Sequence, residues 1–250
     1  MKNALAFTNL VLLIVAMVVG FFVRNNPILF GLNTGKIPSD EDFAIYRDHP
    51  LMDVILNMHK SELGKDYESY RNHCLRVLSF AVHHLGGNDN LQPGDLDIMA
   101  IALAYHDIAL WTDGALSYLE PSVAVMEREM KERFKRKEAG EEKEEQSLFS
   151  LSENDIATVR EIVLQHHKFR QWTPEEGNPA DARLVNAVRK GDWADATVGV
   201  IRYRLPASYV QAAYTTVPEA GFHMVLAGMG GRLSPDSLVG QLDVLKIFKW

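Results

Sequence analysis

Leu96 to Leu110, LDIMAIALAYHDIAL, constrains this chain more than any other stretch. It is apolar almost all round, so as a helix it must be buried on most sides. His106-Asp107 stands near its end. A carboxylate buried there costs on the order of several kcal/mol unless it is paired or bound to a cation. A helix of this kind needs other helices around it. Beyond His49 nearly every periodic stretch has the helical period, and no convincing run of alternating β-branched residues occurs. The expected fold is therefore all-α. Gln92-Pro93-Gly94-Asp95 forms the turn before the helix, with Asp95 as its expected N-cap.

Three further helical stretches carry polar groups on inward faces. In Asp66 to His84, His73 shares a face with Val77, Phe80 and Ala81. A ring nitrogen in an apolar stripe needs a partner inside the fold. In Glu153 to His167, preceded by Ser152, Ser152 and Asp155 have capping-box spacing. Ile156, Val159, Ile162 and Val163 define the inward face there; His166 falls at its centre and His167 at its edge. Lys168 and Arg170 follow, placed to reach an anionic ligand or to complement the helix dipole. In Leu184 to Val200, Asp192 and Asp195 fall on the face marked by Val185 and Val188, while Lys190 points away. Each group alone is explained by a core histidine bonded to a carbonyl, or by a salt bridge to Arg76 or Arg189. Together, imidazoles and carboxylates suit a borderline-hard divalent ion such as Mn, Fe, Co, Ni or Zn.

The order His73, His106-Asp107, Asp192 resembles the HD-domain superfamily of metal-dependent phosphohydrolases. NHCLRVLSFA, IALAYHDIAL and GDWADA are similar to its motifs, with Gly191 where Ala is common and Asp192 at the ligand position. The resemblance covers roughly residues 53 to 214. It implies an all-α HD bundle with His73, His106, Asp107 and Asp192 as metal ligands. It implies hydrolysis, most directly of a phosphate ester, by a metal-activated water that Asp107 orients. His166 and His167 are the candidates for proton transfer or substrate orientation. Lys168, Arg170, Arg76 and Trp111 are candidates for contact with the small-molecule substrate. Asp195 is expected to support a ligand, or to bond Arg76, rather than to coordinate. The chain departs from the two-metal branches, because no histidine lies between Asp107 and His166 and Leu110 stands one turn past His106. One divalent transition metal is therefore expected rather than two. Other readings keep the fold: a hydratase or lyase on a small molecule, or a di-iron oxygenase if both His166 and His167 coordinate. A third is a non-catalytic, membrane-anchored binding module.

Ala4 to Val23, ALAFTNLVLLIVAMVVGFFV, is uncharged and bracketed by Lys2 and Arg24. As a helix it would span about 30 Å, the thickness of a bilayer core. No A-x-A site follows it, so a single uncleaved anchor is expected rather than a cleaved secretory signal. The domain reading is thus an anchor over 1–24, a linker over 25–52 and an HD-like catalytic domain over 53–250. Within the last, 127–146 reads as a charged surface insertion with opposite charges three and four apart. The net charge of −7 and the absence of a basic excess argue against nucleic acid as a partner. Cys74, the one cysteine, excludes a disulfide scaffold and a thiolate metal site, and on an apolar helix it is read as inert. His49, His59, His83 and His84 join no constellation. Tyr118 is read as a bundle cap or pocket wall, and His223 as an ordinary surface histidine in preference to one reaching back over the pocket mouth.

Overall fold

The protein is described by a computed structural model over residues 44–114, 117–138 and 151–226. Its regular structure there is helical throughout, as expected. In chain order the helices are α1 Pro50–Met58, α2 Lys60–Leu63, α3 Tyr67–His84, α4 Asp95–Tyr105, α5 Ala109–Thr112, α6 Leu119–Glu138, α7 Glu153–Gln165, α8 Ala182–Ala196 and α9 Ala207–Thr216. Among the described residues no helix is long and apolar enough to cross a membrane. The expected anchor, most of the linker and the charged run past Glu138 lie outside the described residues.

Helix α4 sits at the centre, and Ile98 to Tyr105 are all buried. It contacts α1, α3 and α7, while α3 makes its most extensive contact with α8. The N-terminus of α4 corrects the expected cap. Gly94 is the N-cap at φ 89°, a left-handed conformation that suits glycine. The Asp95 carboxylate instead accepts from the Gln92 N–H at 2.8 Å and takes an ion pair from Arg183 at 2.9 Å. At the other end the helix stops at Tyr105 rather than running on to Leu110. The chain tightens into three-residue hydrogen bonds through His106 and Asp107, then resumes as α5. That break places His106-Asp107 at a helix terminus. The Ser152–Asp155 capping box forms as its spacing predicts.

Gly191 sets how closely α8 meets α3. A methyl group built there would lie 2.8 Å from the Val77 carbonyl oxygen and 3.1 Å from the Ala81 nitrogen. Those are backbone atoms that cannot swing aside. Alanine would favour the isolated helix by up to about 1 kcal/mol. The clash outweighs this, so we expect Gly191→Ala to lose about 1–3 kcal/mol net, read as a lower midpoint in thermal unfolding.

The charged run begins on α6, and its first turns are not merely solvated. Glu129 accepts a hydrogen bond from Tyr105 at 2.9 Å, and its carboxylate lies 3.2 Å from buried His59. Glu127 pairs with Arg160 of α7 at 3.3 Å. The run therefore fastens α6 to the bundle before it leaves the described residues.

Candidate metal centre

α3, α7, α8 and the break after α4 meet at one buried point. His73, His106, Asp107, His166 and Asp192 are each at most 3% exposed. The His167 side chain is slightly more open, at 15%. The close approach at Gly191 lets α8 project Asp192 and Asp195 toward His73 across the α3 contact.

The outer ring nitrogen of each central histidine is already engaged. His106 Nδ1 lies 2.6 Å from the Leu103 carbonyl, and His166 Nδ1 lies 2.8 Å from the Val163 carbonyl. A carbonyl only accepts, so both Nδ1 atoms carry the proton. In the neutral ring Nε2 is then a bare lone pair. His73 Nδ1 lies 2.7 Å from Asp195 Oδ2. All three Nε2 atoms turn inward, an arrangement that suits metal-binding histidines held from behind.

Inside, donors face one another with little between them. His73 Nε2 and His106 Nε2 are 3.1 Å apart. Asp107 Oδ2 lies 3.2 Å from His106 Nε2, and Asp107 Oδ1 lies 3.2 Å from His166 Nε2. Asp192 Oδ1 is 3.4 Å from His73 Nε2 and 3.9 Å from His106 Nε2. Donors around an ion with bonds of about 2.1 Å stand roughly 3.0–3.4 Å apart. Asp107 Oδ1 and His166 Nε2 are buried and make no hydrogen bond. Two facing lone pairs and an orphaned carboxylate oxygen need a proton or a cation among them, and the residues present fit a divalent ion.

The donors fall into three overlapping groups: His73, His106 and Asp192; His106, Asp107 and His166; His166, His167 and Asp192. The four expected ligands are brought together. His166 and His167 stand at ligand distance beside them, so the cluster exceeds what a single four-coordinate ion takes.

Electrostatics fit a cation site. Burial alone raises the Asp107 carboxyl, but His106, then His166 and His167, outweigh it and hold it well below the usual carboxylate range. Asp192 is lowered against burial chiefly by its bond to His73. Burial disfavours a charged His73, yet Asp192 and Asp195 together push its pKa up to about 9. Burial, with His166 and His73 adding to it against Asp107, holds His106 down to about 4. Of the two facing rings, His73 is the one whose carboxylate neighbours favour a proton, and His106 the one where burial disfavours it.

Behind the donors lies a built support. Arg76 grips Asp195 with two bonds, Nε to Oδ1 at 2.6 Å and Nη2 to Oδ2 at 2.9 Å. Its remaining Nη1 donates to the Val217 and Pro218 carbonyls. Asp195 thus bonds both His73 and Arg76. The expected contact of Arg76 with substrate is corrected: the guanidinium is fully buried and committed to Asp195. Trp111 is partly buried. Its Nε1 donates to Asp66 at 3.1 Å, and its ring rests on Tyr70 at 4.7 Å, one ring removed from the imidazoles. A column of rings runs Trp111, Tyr70, His106, His73, Phe222, with successive centroids 4.7, 5.6, 5.2 and 4.0 Å apart.

Further members of this support lie outside the expected ligand motifs. The Tyr70 hydroxyl accepts from the Asp107 N–H at 3.1 Å and pins the turn after α4. Phe222 is buried flat on His73. His223 is no surface histidine; its Nε2 lies 2.8 Å from the Asp195 carbonyl and its Nδ1 2.9 Å from Glu219. Tyr118 is buried, with its hydroxyl bonded to His167 Nε2. That leaves His167 Nδ1 facing Asp192 Oδ2, at 3.8 Å.

Lys168 is half-buried and Arg170 exposed just past the histidine pair. The backbone between them is clamped from α8. Arg189 donates to the Lys168 and Phe169 carbonyls at 3.1 and 2.7 Å, and Asn186 holds Trp172 through both its N–H and its carbonyl. No protein-family description, curated protein or solved structure matches this chain.

Proposed function

We propose that the chain is a metal-dependent hydrolase of the HD type, acting on a phosphate ester and tethered to a membrane through residues 4–23. The observation that carries the metal reading is the set of three buried imidazoles. Each has Nδ1 engaged; Nε2 faces Asp192 from His73, Asp107 from His166, and lies near both from His106. The ordered motifs around His73, His106-Asp107 and Asp192 support the HD type and the phosphate-ester class.

His73, His106, Asp107 and Asp192 would hold the ion, with His166 completing the Asp107 side. A divalent transition ion supplies positive charge at this point and lowers the pKa of water toward neutrality. The chain's own residues do the rest. Asp107 remains ionised and offers Oδ1 as a hydrogen-bond acceptor toward the His166 side. Asp195 keeps the His73 ring from rotating, and Tyr118 fixes His167. His167 is the most open of the histidines here and lies at the edge where a substrate enters. Its role is to orient substrate or to pass a proton. Lys168, half-buried beside it, is positioned for an anionic group of the substrate.

The test is a panel of phosphomonoesters, phosphodiesters and nucleotides hydrolysed by the full chain loaded with Mn, Fe, Co, Ni or Zn. Activity on at least one substrate, lost in Asp107→Asn, is the expected result. Asp107→Asn keeps the shape of the side chain and removes its charge, so a folded but inactive variant isolates the chemistry. Unchanged turnover in that variant would contradict the reading. A second reading, di-iron oxygenase chemistry, has one specific observation in its favour: His166 and His167 both belong to a donor group. It predicts two irons per chain and dioxygen consumption in place of hydrolysis.

A further inference from the structure

Two loops beside the metal cluster together form an exposed surface next to it. One is Lys168-Phe169-Arg170, just past the histidine pair. The other is Val198 to Arg204, VGVIRYR, just past α8. They are joined: the Tyr203 hydroxyl donates to the Phe169 carbonyl at 3.0 Å, and the two rings lie 6.3 Å apart. Arg189 bonds both, reaching Phe169 and the Tyr203 hydroxyl. Phe169 and Val200 are 42% and 41% exposed, among the most exposed large apolar side chains described. Arg170, Arg202 and Arg204 are exposed around them. Neither 168–170 nor 198–204 contains an acidic residue, on a chain whose net charge is −7.

The first described residues pack on the same small cluster as Val198 of the second loop. Ala44 is the first described residue, and its carbonyl accepts from the Tyr209 hydroxyl at 2.9 Å. Ile45 packs on the small cluster of Phe80, Ala194, Leu205, Tyr209, Val210, Ala213 and Tyr214, and Val198 packs on that same cluster. The basic loop and the start of the folded body are thus neighbours on α9. Between Val23 and Ala44 lie 20 residues, whose full extension is at most about 70 Å.

We propose that the surface of Phe169, Arg170, Val200, Arg202 and Arg204 docks on the anionic headgroups of the membrane that holds residues 4–23. The side chains match that partner. Arginines are drawn to a negative leaflet, and exposed Phe and Val settle at the headgroup boundary. Tethering makes the encounter intramolecular, so a modest patch suffices. Docking turns the His166–His167 edge of the cluster toward the lipid surface, so its substrate would be presented there. The proposal rests on the anchor reading.

The test uses the full chain with Val200→Cys labelled by a small fluorophore. Cys74 is fully buried and leaves the new thiol as the labelled one. The protein is placed in bilayers of phosphatidylcholine alone, or mixed with phosphatidylglycerol, each carrying a quencher at the headgroup–acyl boundary. A label at Val54, exposed on α1, is the control. We expect membrane association in both bilayers, with quenching at position 200 only where phosphatidylglycerol is present and none at position 54. High salt should release it. Arg170→Gln/Arg202→Gln/Arg204→Gln should weaken docking roughly 100-fold. If the chain associates but position 200 stays bright in both bilayers, the docking proposal is overturned while the anchor stands. If the chain does not associate with either bilayer, the anchor falls and the proposal with it.

Discussion

Asp195→Ala is expected to destabilise the metal-free chain by about 3–5 kcal/mol, the cost of stranding a buried charge. Arg76 is fully buried and gives Asp195 two charge-assisted bonds, so removing the carboxylate leaves the guanidinium with two carbonyls and the Tyr214 ring but no carboxylate bonded to it. His73 loses the acceptor for Nδ1 in the same step. For a chain of this size the midpoint of thermal unfolding should fall by roughly 10 °C. Arg76→Met/Asp195→Leu removes both charges together, and a buried ion pair replaced by apolar groups is often neutral. The double variant should therefore be clearly more stable than the sum of the single losses predicts. A strictly additive cycle would show that the pair is not coupled as its geometry requires. Asp195→Asn, milder in stability, should still weaken metal binding by about 10–100-fold through the freed His73 ring.

The second large effect is the dependence of stability on metal. Without a cation, His73 and His106 Nε2 face each other at 3.1 Å, and Asp107 Oδ1 and His166 Nε2 face each other at 3.2 Å with no hydrogen bond assigned to either. An ion that binds the folded chain and not the unfolded one raises stability by about 4 kcal/mol at a thousandfold excess over Kd. Adding Mn, Fe, Co, Ni or Zn to the chelator-treated chain should raise the unfolding midpoint, and chelator should return it. His106→Ala and Asp192→Asn should flatten that response, because each takes a donor from the group with His73. Gly191→Ala should lower the midpoint with and without metal. Measuring midpoints against metal concentration separates damage to the fold from loss of the ion.

The helical period was enough to show the class of fold and to place His166 at the centre of its face. The same wheel put Asp192 and Asp195 inward together. What it could not show is contact between residues far apart in sequence. Phe222 and His223 reach His73 and Asp195 from beyond α9, and no local pattern marks them. Nothing in the local sequence marks Tyr70, whose hydroxyl accepts from the Asp107 N–H in the turn after α4. For Arg76 the sequence left both a contact with substrate and a bond to Asp195 open. Its burial against Asp195 depends on the α3–α8 contact, which hinges on Gly191 having no side chain. The break at His106 also escaped the periodicity, since apolar residues continue through it to Leu110.

The central claim is that these donors hold a transition metal. The most direct measurement is the metal content of the full chain, extracted in detergent without chelator, supplemented, dialysed and compared with His106→Ala. The account predicts at least one transition ion per wild-type chain and none retained by the variant. A folded wild-type chain that keeps no ion after supplementation would contradict it.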